Sequence, residues 1–361
     1  MRFFFFNSHA HRILDPEETR VSGGAELQVA LLAKELSCSG HEVTLVGSDT
    51  GQPPRRNLDK VDARTAGKFH SGGALDSLGA LPRVMSLLRE CRPDYVVVLG
   101  WTAWLEVLLW LRPFFGYRLI YICGLDPEID GSFGQTHGWR GRMFERGVRG
   151  ADGRFAMSLR QEELFQQSKQ DSAFYRNLIL PRRTARTAAK DIDLFWVARC
   201  QPIKRPHLFL DLVESIPEAS CTMVCPRENE ALWLSVEKRA ATLPNLMFHE
   251  SIPYHEIQDV YDRAKFVVST SEAEGFPNNM IQGAQGSAGV ISLVVDPDGF
   301  IERFGAGFCA AGDFECLVKE TRRLVSDETA TEIAGQGAER MAKEWLDNAS
   351  NMEKFLQGLP R

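Results

Sequence analysis

Residues 265–285 read KFVVSTSEAEGFPNNMIQGAQ, and the reading of the fold starts from this stretch. KFVVSTS (265–271) is a short, unbroken and largely apolar run, the pattern of a strand buried on both faces. EGFPNNMIQGAQ (274–285) then turns into a helix. Gly275 permits a turn that other residues resist. Pro277 suits the first helical position, where its missing N–H leaves nothing unpaired. Asn278, Asn279 and Met280 would open the helix with free amides toward the strand end, an anion site suited to a diphosphate. Glu274 sits at the turn, where a carboxylate accepts hydrogen bonds from sugar hydroxyls. Gln282 follows about two turns along, on the same general side. A plain strand–turn–helix with a solvated Glu274 is the competing reading of these residues alone.

Outward from this stretch, β-rich apolar runs alternate with helical segments, the signature of parallel sheets covered on both faces. In the first half the expected strands are RFFFF (2–6), HEVTLVGSD (41–49), DYVVVLG (94–100), RLIYICG (118–124) and GRFAMS (153–158). In the second they are DLFWVAR (193–199), CTMVC (221–225), LMFHES (246–251), KFVVSTS (265–271) and GVISLVVD (289–296). A chain of 361 residues suits two lobes, and LPRRTARTAAKD (180–191), polar and basic, reads as the connection. The expected division is 1–183 and 184–344, with a last helix at about 345–361 returning to the first lobe. Ligands of such doubly wound sheets sit beyond the carboxyl ends of the strands.

Two further stretches carry chemistry. In VARCQPIKRP (197–206) an apolar strand delivers Arg199, and a loop through Pro202 brings back Lys204. Two fixed cations at a strand end suit a diphosphate. A pair of ordinary surface cations is the alternative. In SGGAELQVALLAKEL (22–36), Gly23 and Gly24 precede a helix and let the backbone approach a ligand closely. The stretch is not GxGxxG, so a dinucleotide fingerprint is absent and a dehydrogenase is the weakest rival.

Composition sets the boundaries. Residues 1–190 carry 26 Lys/Arg against 21 Asp/Glu, and residues 191–361 carry 16 against 27, within a net charge of −6. A basic first half suggests an anionic partner there. An acidic protein without an aromatic-stacking motif is a poor fit for nucleic acid. The eight cysteines form no CxxC and several lie in apolar runs, which reads as buried thiols in a reducing, cytoplasmic compartment without structural zinc. MRFFFFNSHAHR reads as a buried first strand rather than a signal peptide. WTAWLEVLLWLRPFFGYRLIYI (101–122), interrupted by Glu106, Arg112, Pro113 and Gly116, reads as helix, turn and strand rather than a membrane span.

Together, SGGAE before a helix and GHEVTLV, then VARCQPIKRP, then SEAEGFPNNMIQGA resemble family 4 glycosyltransferases in order and spacing, over about residues 20–300. The resemblance implies the GT-B fold: two doubly wound, Rossmann-like α/β lobes facing a central cleft, the first binding an acceptor and the second a nucleoside-diphosphate sugar. It implies retaining transfer with no metal and no bound cofactor. By matching position, Arg199 and Lys204 would hold the diphosphate, with Gly23 and the Gly24 amide closing over it. Glu274 would bind donor-sugar hydroxyls, with Gly275 and Phe276 lending amides at the head of the helix that Pro277, Asn278 and Asn279 open. Position 282 would face the ribose.

This chain departs from that pattern in three places. The family's second glutamate is Gln282 here, which keeps an acceptor carbonyl but no charge. The glycine-rich turn expected after CTMVC is replaced by Cys225-Pro226-Arg227. A histidine expected after the fifth strand gives way to CGLDPEID (123–130). In that last segment Asp126, ahead of Asp130, is the acid expected to orient the acceptor or take its proton, a turn aspartate beside Pro127 being the alternative. His137 is a candidate acceptor contact.

WRGRMFERGVRGADGR (139–154) has Arg140, Arg142, Arg146, Arg149 and Arg154 interspersed with Trp139, Met143 and Phe144. Such a face suits anionic lipid near a lipid-linked acceptor, at the inner side of a membrane, or else is a solvated helix face. A nucleotide-sugar epimerase of the same fold and a catalytically silent sugar- or nucleotide-binding scaffold are the rival functions.

Overall fold

The computed structural model describes residues 1–361 except 16, 19–22, 50, 70–73, 181–188 and 255, together with the side chains of 74–78. Ser22 and most of the connecting stretch 180–191 therefore lie outside the described residues. The chain forms two compact units: Met1–Leu178 with Asn348–Arg361, and Ile179–Asp347. The division falls at Leu178 rather than 183, and the return begins at Asn348.

Among the described residues unit 1 holds eight strands: β1 (Arg2–Phe6), β2 (Glu42–Gly47), β3 (Arg55–Leu58), β4 (Val61–Thr65), β5 (Tyr95–Leu99), β6 (Arg118–Ile122), β7 (Gly153–Ala156) and β8 (Ala173–Phe174). Their order is β3-β4-β2-β1-β5-β6-β7-β8. Phe3, Phe4, Phe5 and Phe6 of β1 are all buried, which a strand with helices over both faces requires. Phe3 stacks on Tyr95 on one side of the sheet, with ring centroids 5.3 Å apart. Phe6 meets Phe69 and Trp104 at 4.6 and 5.0 Å.

The β3–β4 pairing is antiparallel, so the sheet is not wholly parallel as the alternating runs suggest. The hairpin is absent from the sequence reading because RRNLDKVDART has no apolar run. Its two-residue turn puts Asp59 and Lys60 at φ +50° and +69°, conformations that normally call for Asn or Gly. Tertiary contacts hold it there: Lys34 Nζ lies 2.6 Å from Asp59 Oδ2, and the Ser37 hydroxyl donates to the Lys60 carbonyl at 2.9 Å.

Unit 2 is a parallel sheet of β9 (Ile192–Val197), β10 (Cys221–Val224), β11 (Leu246–His249), β12 (Ala264–Ser269), β13 (Gly289–Ser292) and β14 (Gly307–Cys309), in the order β11-β10-β9-β12-β13-β14. The apolar runs extend past the strands: β12 ends at Ser269 rather than 271, and β13 at Ser292 rather than 296. Those extra residues form the loops at the carboxyl edge. The two short strands β8 and β14 are too brief to show as patterns in sequence. Among the described residues no helix is long and apolar enough to cross a membrane.

The final helix, Asn348–Gln357, belongs to unit 1. Its Asn351 side chain accepts the Arg176 amide at 3.1 Å, and the Tyr95 hydroxyl donates to the Pro360 carbonyl at 3.0 Å. Phe355, fully buried, sits 4.8 Å from Phe155 and 5.4 Å from Tyr175 between ring centroids. Phe355→Ala should therefore destabilise unit 1 by about 3–5 kcal/mol, read as an earlier urea or thermal transition of that unit.

Candidate active site

β9 and β12 lie side by side and parallel, with Phe266 opposite Leu194 and Val267 opposite Phe195. Their carboxyl ends run into two loops that satisfy each other's polar groups. After β9 the chain makes a 3-10 turn, Pro202–Lys204, and Arg205 takes φ +47°. After β12 it passes through Thr270 and Ser271 to Glu274. The Trp196 indole N–H donates to the Thr270 hydroxyl at 3.0 Å, and that hydroxyl donates to the Lys204 carbonyl at 2.7 Å. The Glu272 amide donates to the Ile203 carbonyl at 2.9 Å. The Arg205 guanidinium forks onto the Thr270 and Ser271 carbonyls at 2.8 and 3.0 Å. Arg205 is thus a clamp within the protein, a role that its place beside Lys204 in sequence does not reveal.

This stitching brings Lys204 to Glu274. Lys204 Nζ lies 2.5 Å from Glu274 Oε1, and the same oxygen accepts the Ser271 hydroxyl at 2.7 Å. Both side chains are largely shielded from solvent. Arg199 is not part of this group. Its guanidinium is half exposed and lies 3.4 Å from Glu228, which also accepts from Gln201. An ion pair that open contributes at most about 1 kcal/mol, so Arg199 is free to exchange Glu228 for a more highly charged anion.

The helix Asn278–Gln285 begins one residue later than the sequence suggests, with Pro277 as N-cap and no side-chain cap. A proline N-cap has no side-chain acceptor for the first-turn amides. Asn279 spans inward, its carboxamide accepting the Met280 amide at 2.8 Å and donating to the Val197 carbonyl at 3.4 Å. Asn278 flanks it, half exposed. Gly275 takes no positive φ, so the turn does not need a glycine for its backbone angles. Phe276 anchors it instead, its buried ring 6.0 Å from Phe300. Gln282 is only 8% exposed, and among the described residues its Nε2 has no hydrogen-bond partner. Its backbone carbonyl accepts the Gln258 side chain at 3.2 Å.

Where a glycine-rich turn is missing after β10, Cys225-Pro226-Arg227 is held by the Trp233 indole N–H, which donates to the Cys225 carbonyl at 2.8 Å. Arg227 lies over the Trp233 ring at 3.7 Å and pairs with Glu230 and Glu250. Cys200 and Cys225 are buried free thiols, and burial pushes both thiols up, which disfavours the reactive thiolate.

In unit 1, Gly23 is the N-cap and Gly24 the first residue of the helix Gly24–Cys38. Asp126 opens the 3-10 turn Asp126–Glu128, half buried. Asp130 is exposed and accepts the Ser132 amide at 2.7 Å. His137 is exposed, with Nδ1 3.2 Å from the Phe133 carbonyl.

The residue the sequence does not flag is Glu128. Buried after β6, it accepts the Tyr121 hydroxyl at 2.6 Å and the amides of Gly124, Trp101 and Leu125 at 2.8, 2.9 and 3.2 Å. Burial pushes its carboxyl up, against the pull of those donors. In DPEID it looks like one turn acid among three.

Two α/β units, each built on a largely parallel sheet and the second with a cation–carboxylate pair at its strand ends, define the GT-B fold. Residues 23–176 match the model of the glycosyl transferase 4-like domain. The first unit thus carries a stretch that matches a glycosyl transferase 4-like domain. Among solved structures, sucrose-phosphate synthase from Thermosynechococcus elongatus is 15% identical with a TM-score of 0.79, covering 99% of this chain and 98% of its own. Anabaena HepE in complex with UDP and glucose is 16% identical, TM-score 0.74, over 99% and 98%. S. aureus TarM, in complex with fondaparinux, alpha-GlcNAc-glycerol and UDP, is 11% identical, TM-score 0.74, over 99% of both chains. At such identities the likeness is one of fold. No protein of curated function matches the sequence.

Thr270→Val removes the hydroxyl that joins Trp196 to Lys204 and leaves a buried N–H and carbonyl unmatched. It should cost about 2–4 kcal/mol, measured by urea denaturation. A loss under about 0.5 kcal/mol would mean that the two loops do not depend on it.

Proposed function

We propose that the chain moves a sugar, with retention, from a nucleoside-diphosphate sugar held by unit 2 to a hydroxyl of a glycan or lipid-linked acceptor held by unit 1. The observation that carries this reading is the Lys204–Glu274 pair on the joined ends of β9 and β12. An ammonium and a carboxylate fixed side by side offer a cation to a diphosphate and an acceptor to sugar hydroxyls. In the reaction the bond from the anomeric carbon to the phosphate oxygen breaks and one to the acceptor oxygen forms. The acceptor's proton passes to the departing diphosphate, so no strong protein base and no metal ion are required. Lys204, Arg199 released from Glu228, and the amides opening the helix at Asn278 stabilise charge that grows as the diphosphate leaves. Gly275 and Phe276 lend amides to the sugar, and Gln282 offers its carboxamide to the ribose. Asp126 orients the acceptor.

UDP-sugars are the first donors to try, given the UDP complexes among proteins of this fold. In a thermal-shift panel of UDP-, GDP- and ADP-sugars, one nucleotide should raise the midpoint of unit 2, the added stability being about 2.7 kcal/mol at a hundredfold excess over its dissociation constant. Slow hydrolysis of that donor should fall about a hundredfold in Glu274→Ala and Lys204→Ala with the fold retained. A flat panel, or hydrolysis indifferent to Glu274, defeats the reading. Epimerised donor formed without any acceptor would favour an epimerase instead.

The basic segment of unit 1 supports a cytoplasmic setting at an anionic membrane surface. The helices Trp104–Phe115 and Gly138–Gly150 pack together closely: a Cβ on Gly147 would come 2.9 Å from Leu105. Together they expose Phe114 (81%), Trp139 (66%) and Trp110 (60%). Arg146 lies 5.2 Å from the Trp110 ring and Arg140 5.5 Å from that of Trp139. Indoles beside guanidinium groups fit the interfacial layer of a bilayer. Flotation with phosphatidylcholine vesicles containing phosphatidylglycerol should recover the protein in a salt-sensitive way, pure phosphatidylcholine should not, and Trp110→Glu with Phe114→Glu should abolish recovery without changing donor hydrolysis. Equal recovery of variant and parent would remove lipid from the reading.

A further inference from the structure

Trp101 stands just beyond β5 in unit 1 and is 48% exposed. Its amide donates to the buried Glu128 carboxylate, which also holds the Gly124 and Leu125 amides beyond β6. The two strand ends approach so closely that a Cβ on Gly124 would come 3.0 Å from the Gly100 Cα and 3.3 Å from the Glu128 carboxylate. Gly100 itself takes φ +70°, which glycine reaches without strain. One carboxylate thus ties together two loops at the carboxyl ends of adjacent parallel strands, where doubly wound sheets take their ligands.

The Trp101 ring does not stand alone. Its centroid is 5.9 Å from Phe133 and 6.0 Å from His137, and His137 stacks on Phe133 at 4.1 Å with planes 19° apart. His137 Nδ1 faces the Phe133 carbonyl, so it carries the proton in the neutral ring and leaves Nε2 as an acceptor. The patch therefore combines aromatic faces with a hydrogen-bond acceptor.

We infer that Trp101 and His137 form a stacking platform for one neutral pyranose ring of the acceptor, with His137 Nε2 taking one of its hydroxyls. A pyranose presents one face of C–H groups and a rim of hydroxyl donors. The C–H face suits the negative π-face of an indole, and one hydroxyl of the rim suits Nε2. The inference rests on the reading that unit 1 takes the acceptor, and it adds which chemical face of the acceptor is recognised.

The test is saturation-transfer NMR with the methyl glycosides of glucose, galactose, mannose and N-acetylglucosamine on the full chain. At least one should show transfer concentrated on the ring protons of a single face. Trp101→Ala should cut that transfer at least about fivefold, and Trp101→Phe should restore most of it. Saturating UDP should leave it in place. Absence of ring-proton transfer from all four glycosides, equal transfer in Trp101→Ala, or displacement of the glycoside by uridine would each overturn the platform. Thermal shifts with UDP keep the donor reading separate: a shift shared by parent and Trp101→Ala, with no glycoside effect, would fault the platform alone.

Discussion

Much of the candidate active site depends on one buried hydroxyl. Thr270 receives the Trp196 indole N–H and gives its proton to the Lys204 carbonyl. Past the last ladder bond of a parallel sheet, backbone groups on neighbouring strands have no automatic partner, and buried ones must find one. Here the loops leaving β9 and β12 serve each other, through Thr270, the Glu272 amide and the Arg205 fork. Two loops fixed in this way hold a lysine and a glutamate at a set distance. Charges held in place before a reaction need little rearrangement during it, which is why preorganised groups act strongly on developing charge.

Unit 1 solves the same problem with a carboxylate. Glu128 gathers three amides and a tyrosine hydroxyl from the ends of β5 and β6. Removing an ionisable group from water is costly unless its lone pairs are used, and four donors use them. The consequence in both units is the same: the loops beyond the carboxyl edge are rigid where they leave the sheet, and the side chains they present are oriented by buried hydrogen bonds.

The cations of unit 2 differ in how they are held. Lys204 is shielded and joined to a carboxylate that also takes Ser271, whereas Arg199 meets Glu228 in the open. Screening by water makes the second pair weak and exchangeable, and shielding makes the first a geometric element. The Arg227–Trp233–Glu230–Glu250 group at the ends of β10 and β11 replaces a glycine-rich turn with a charged, stacked one.

The alternation of apolar runs and helices was enough to expect two parallel-sheet units, because burial on both faces demands unbroken apolar strands. The order of SGGAE, VARCQPIKRP and SEAEGFPNNMIQGA was enough to place Lys204 and Glu274 near strand ends. Local pattern does not reach the β3–β4 hairpin, since its Asp59-Lys60 turn is held by residues of a distant helix. Nor does it reach the roles of Arg205 and Glu128, each of which looks like an ordinary loop charge until partners from other strands are in place. Arg199 and Lys204 read alike as cations in one motif, and only the folded chain turns the first to Glu228 and the second to Glu274. Periodicity is a property of neighbours along the chain, so sequence alone determined the longer apolar strands and the helices between them. Which charge meets which depends on groups brought together across the sheet, and tertiary structure decided that.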